Sequence, residues 1–174
     1  MMQFLILGLL LDGPLSLYDV RKRFAAGVSL FYAASFGSIQ HAFRQLEAQG
    51  WVTMADADDT RRRKRLYVIS EAGRQSWWEW MGSPITGSDP EPTMLARVYL
   101  LGRLPQAERA ECLAVIRARV DQDAERLASL VRELGATPVP DDLRDVAHYR
   151  RATLDYGLRA HALTAQWLDE LARA

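Results

Sequence analysis

Five consecutive cations, Arg61, Arg62, Arg63, Lys64 and Arg65, are the densest chemistry in this 174-residue chain. Like charges crowded this closely repel one another unless water or an anionic partner takes them up, so the run predicts a solvated loop tip or an anion-binding element. Upstream, Ser35, Gly37, Ser38, Gln40, His41 and Arg44 set small and hydrogen-bonding residues beside an apolar stripe, Ile39, Phe43 and Leu46, at i, i+4 and i+7. Gln and Arg are suited to pairing with base edges in a DNA groove, although the same face fits an ordinary surface helix. A third group, Trp77, Trp78 and Trp80, puts three indoles within four residues. These indoles fit helix packing, or one of them fits stacking on a planar ligand. Other chemistries lack their residues. His148 and His161 lie thirteen residues apart, no His or Cys stands at metal-ligand spacing, and no nucleophile motif, phosphate loop or compelling carboxylate pair appears. Neither an enzyme nor a metal or cofactor protein is expected.

With 49% hydrophobic residues, the chain can bury a core in one domain or two small ones. The single cysteine, Cys112, sits in an apolar helical pattern and reads as packing, in keeping with a reducing, cytoplasmic setting. The opening MMQFLILGLLLDGPL has no basic lead or cleavage site and too short an apolar run before Asp12, so neither a signal peptide nor a membrane span is expected. Net charge is zero, which disfavours nucleic-acid binding over the whole surface and leaves a local basic patch open. Residues 1–80 hold ten Lys and Arg against eight Asp and Glu, and residues 81–174 hold twelve against fourteen, so clustering matters more than the sum.

The elements that would position these residues follow in order. Met2 to Leu11 predicts a buried helix ended by the turn Asp12-Gly13-Pro14. Ser16 with Asp19 forms a capping-box pattern ahead of a stripe of Leu17, Val20 and Phe24, closed by Gly27. Val28 to Ala34, with Leu30, Phe31 and Tyr32, is too apolar for a free loop and is expected to fold back onto the core. Ser35 then caps a third helix that Gly50 stops. Next, WVTMA and RLYVIS read as a hairpin whose charged tip carries the five cations. Ser70 caps EAGRQSWWEWM, and GSPITGSDPEP reads as a linker. Beyond it come a short apolar helix from Met94 to Leu104 and a long one from Gln106 to Leu134, its stripe running from Leu113 through Ile116, Val120, Leu127 and Leu130. The last helix is capped at Asp141 or Asp142 and striped by Val146, Tyr149, Leu154, Leu158, Ala165, Leu168 and Leu171. Two long helices cannot cover both of their faces, so a partner subunit is expected.

Three helices and a charged hairpin within about 80 residues form the layout of a winged helix-turn-helix, whose third helix enters the major groove while the wing reaches phosphates. On ILGLLLDGPLSLYDVRKRF, FYAASFGSIQHAFRQLEAQGWVT and the basic hairpin leading to LYVISEAGR, the chain resembles the PadR-type transcriptional regulators. Its second half resembles the C-terminal dimerisation domain of one branch of that family. The expected fold is therefore mainly α: a winged helix-turn-helix over residues 1–81, a linker over 82–92 and a helical dimerisation domain over 93–174. The resemblance implies a homodimeric repressor, less often an activator, that binds a palindromic operator in double-stranded DNA and answers to a small aromatic or hydrophobic ligand. It further implies that Tyr18 and the start of its helix touch the phosphate backbone, that Ser35, Gly37, Ser38 and Gln40 face the groove, and that Arg61 to Arg65 form the wing. An effector cavity would lie between domains, where Trp77, Trp78 or Trp80 would stack on the ligand. The family usually has Gly where Leu17 stands and often Tyr where Gln40 stands, and Asp56, Asp58 and Asp59 precede the wing. Those acids and the neutral net charge favour the competing expectation, a winged-helix module used for protein interaction.

Overall fold

The opening apolar run is a helix in the computed structural model, which describes residues 1–56 and 65–173. This helix, α1 (Met2–Leu10), is apolar nearly all round, and Leu5 to Leu10 are all buried. A helix of that kind must be covered on several sides. Helix α1 is covered by α3 (Phe36–Ala48), α4 (Glu71–Gly82), α5 (Glu91–Leu100) and strand β2 (Arg65–Ile69). Gly8 permits the closest approach, because a Cβ there would lie 2.6 Å from Leu100 Cδ1 and 2.9 Å from Trp77 Nε1.

The chain divides into two compact units, Met1–Cys112 and Leu113–Ala174. The stretch expected as a linker lies inside the first unit, and α5, beyond it, packs on α1. Arg97 of α5 is buried and clamps the end of α4, its guanidinium donating to Met81 O at 3.3 Å and to Ser83 O at 2.6 Å. Among the described residues no carboxylate is paired with it; carbonyls at a helix C-terminus, which carry partial negative charge, take that role.

Within the first unit the capping box at α2 (Leu17–Ala26) is formed: Ser16 Oγ accepts from the Asp19 N–H at 3.2 Å, and the Asp19 carboxylate accepts from the Ser16 N–H at 3.0 Å. A 3₁₀ turn follows at Val28–Leu30. Here the expectation of a fold-back holds only in part. Val28 is buried and Phe31 lies 5.9 Å from the Tyr99 ring, but Leu30 is 88% exposed, because the tight turn aims adjacent residues in different directions. Helix α3 buries Ile39, Ala42, Phe43 and Leu46 and ends at Gly50, whose φ of 69° suits a glycine. Strand β1 (Val52–Asp56) then pairs antiparallel with β2, in a register running from Val52 opposite Ile69 to Asp56 opposite Arg65.

In the second unit, α6 (Gln106–Ala136), whose first turns belong to the first unit, and α7 (Arg144–Arg173) run antiparallel. Leu134 O accepts from Arg151, Gly157 sits against Leu127, and Arg117 pairs with Asp169, so positions descend along one helix as they rise along the other. Asp141 and Asp142, expected as caps, fall instead in a 3₁₀ turn, Asp141–Leu143, because Pro140 sets an extended entry before the α-helix begins.

Candidate nucleic-acid interface

Ser35 starts the surface that matters. Its Oγ accepts from the Ser38 N–H at 3.1 Å, which fixes where α3 begins. Ser38 Oγ turns back to donate to Ser35 O at 2.8 Å, so this half-buried hydroxyl serves the cap. Because Ile39, Phe43 and Leu46 anchor one face, Gln40, His41 and Arg44 are exposed on the other. Gly37 is exposed too, and a Cβ there would meet only Ser35 Oγ, at 3.9 Å. This leaves room for a close neighbour at the helix start. On α2, Tyr18 is exposed in the first turn, as are Arg21 and Lys22 one turn later.

The hairpin is tied to α3 by Tyr67, whose ring stacks on Phe43 with centroids 4.0 Å apart, and to the start of α2 by paired backbone hydrogen bonds between Tyr67 and Leu15. Arg65, the first residue of β2, is exposed. Arg61, Arg62, Arg63 and Lys64, with Asp58 and Asp59, lie outside the described residues.

The three indoles are not brought together at one cavity. Trp77 is wholly buried, and its ring N–H has no acceptor among the described residues. Trp80 stacks on Phe4 at 4.9 Å with the planes within 4°, and the Arg97 guanidinium lies 5.1 Å from its centroid. Trp78, 40% exposed, lines a cleft of about 160 Å³ together with Glu79, Met81, Glu108, Glu111 and Cys112. Among the described residues no group of three or more His, Cys, Asp or Glu could hold a metal ion, and no helix is long and apolar enough to cross a membrane.

Two features of this surface escape the sequence pattern. Phe36, the first residue of α3, is half exposed, and Arg21 lies over its ring. An aromatic type next to an apolar stripe reads as core, so only the cation run Arg21-Lys22-Arg23 hinted that α2 contributes more than Tyr18.

Residues 6–78 match the transcriptional regulator PadR-like family, and residues 93–174 match the virulence activator alpha C-terminal family. The chain is 25% identical over 181 residues to the negative transcriptional regulator PadR of Bacillus subtilis, covering 98% of this chain and 94% of that one. It is 26% identical over 166 residues to a probable transcriptional regulator of Mycobacterium tuberculosis, covering 90% and 88%. Among solved structures it is similar to Bacillus subtilis PadR in complex with operator DNA (23% identity, 98% and 97% covered, TM-score 0.45). It is likewise similar to the same protein in complex with p-coumaric acid (23%, 99% and 96%, 0.44) and to the Vibrio cholerae virulence activator AphA (22%, 99% and 96%, 0.44).

Proposed function

Because residues 6–78 match the transcriptional regulator PadR-like family, we propose that this chain is a repressor that grips a palindromic operator as a homodimer and lets go when a small aromatic effector binds. The observation that carries the DNA half of this reading is the α3 surface: Gln40, His41 and Arg44 exposed on a helix whose start is fixed by Ser35 and whose flank holds the wing strands. Repression follows the description of the Bacillus subtilis relative as a negative regulator. Residues 1–81 bind DNA, 82–92 connect, and 93–174 pair the subunits, with residues 93–112, most of α5 and the first turns of α6, as the part of the second segment that lies in the first compact unit. Trp78, the indole that lines a cleft, is our effector-stacking residue; Trp77 and Trp80 hold its helix in place.

Phosphate contacts supply affinity that falls with salt, and base contacts supply sequence choice. The test is a gel shift with the DNA upstream of the chain's own gene, run at two salt concentrations. Arg62→Ala with Arg63→Ala is expected to weaken binding to every duplex and to flatten the salt slope by about four, two cations from each subunit. Gln40→Ala is expected to cost about 1–3 kcal/mol of discrimination at one base pair per half-site and leave the slope unchanged. Equal effects of both variants on specific and random DNA would defeat this division of labour, and a failure of any fragment to shift at low salt would defeat the reading itself.

A further inference from the structure

The surface around α3 extends past the residues assigned so far. Phe36 is 49% exposed at the first helical position, whereas Phe24 of α2 and Phe43 two turns further along α3 are buried. Leaving that much aromatic area in water is unfavourable unless something covers it. The guanidinium carbon of Arg21, from α2, lies 5.8 Å from the ring centroid and leaves half of Phe36 open. Among the described residues no carboxylate is paired with Arg21. Stacking on a ring holds a guanidinium in one plane while leaving its edge N–H groups free for an oxyanion.

Resting on the DNA-binding reading above, we propose that Phe36 and Arg21 act as one thymine-reading pair, the ring meeting a thymine C5-methyl and the guanidinium meeting a neighbouring phosphate. The position fits, since the first turn of a third helix is the part that meets base edges in the major groove. The chemistry fits as well. Thymine is the base that presents a methyl group there, and an apolar side chain is what detects it. Gly37, next in sequence, has open space around its Cα, so the duplex can approach the ring closely. The pair thus joins a base contact to a phosphate contact across the two helices.

Deoxyuridine lacks only the C5-methyl of thymine and supplies the test. Fluorescence anisotropy would follow duplexes cut from the DNA upstream of the chain's own gene, each thymine replaced in turn. One thymine in each half-site is expected to matter, its replacement weakening the unmodified protein about three- to fivefold, the worth of one buried methyl. Phe36→Ser should bind the thymine and deoxyuridine duplexes alike. Arg21→Gln should lose affinity for all duplexes and lower the salt slope by about two, one phosphate contact from each subunit. The first comparison uses the natural chain, so it stands even if Phe36→Ser folds poorly. Tight binding by the natural protein that ignores every replacement overturns the pair while leaving the DNA reading intact. If no duplex binds even at low salt, the DNA reading falls, and the pair falls with it.

Discussion

Cys112 shows how far a single residue can be read. Its place in an apolar helical pattern predicts packing, and it is buried beside the Trp78 cleft. Burial pushes its thiol up to about 11, with the nearby Arg97 cation opposing the shift. The thiolate is the reactive form, so the native thiol should be inert near neutral pH. A thiol-reactive dye at pH 8 is expected to leave the folded protein unlabelled and to modify one cysteine per chain after unfolding in urea. The sign of the linked stability effect follows. An unfolded thiol ionises near 8.5, well below its folded value, so the unfolded chain gives up its proton first. Stability from this group is therefore full below about 8.5 and declines as pH rises towards 11. Urea midpoints at pH 8 and pH 10 should fall less in Cys112→Ala than in the natural chain, and equal falls would remove Cys112 from the account. Arg97 was not legible in the same way. An arginine in a helix normally reads as a solvated position, and only the carbonyls at the end of α4 reveal why this one is buried.

At the scale of elements, the caps carry most of what could be read in advance. Ser16, Ser35 and Ser70 each start a helix as their spacing predicts. Ser70 does more than cap. Its Oγ accepts from the Gly73 N–H at 3.1 Å and donates to Gly50 O at 2.6 Å, joining the start of α4 to the turn that ends α3. Ser70→Ala is expected to cost about 1–2 kcal/mol, since it loses a cap and strands a carbonyl. Ser70→Asp keeps the acceptor but not the donor, and its urea midpoint should fall between the two. If aspartate is as stable as the natural serine, the link to Gly50 contributes nothing. Such hydrogen bonds between elements have no sequence signal, whereas the cap inside one element does. The same distinction explains α5. Its apolar residues were plain in the sequence, but the compact unit it joins is decided by the fit of Leu100 against Gly8 and Trp77, which periodicity does not encode.

For the whole molecule, α7 raises the remaining question of what covers its outer face. The period predicted one stripe, and Leu154, Leu158, Ala165 and Leu168 are indeed buried or half-buried. Val146, assigned to that stripe from sequence, is 44% exposed, and Tyr149, assigned to it as well, instead points outward. It begins a second stripe, Tyr149, Tyr156 and Leu163, at seven-residue spacing and 72%, 75% and 68% exposed. A helix with apolar residues on both faces gives overlapping periodic signals, so the two stripes merge when only the sequence is read. Large apolar side chains repeating every seven residues on an open helix suit pairing with a second helix. On the homodimer reading proposed above, Tyr156→Glu combined with Leu163→Glu is expected to sediment as a monomer where the natural chain sediments as a dimer, with helix content by circular dichroism unchanged. Operator affinity should drop with it, because two recognition helices held about 34 Å apart bind as one unit and separated subunits do not. Non-operator binding by each subunit should persist at low salt, since the wing is untouched. A variant that remains dimeric would move the subunit contact off this stripe and leave three exposed residues without a function.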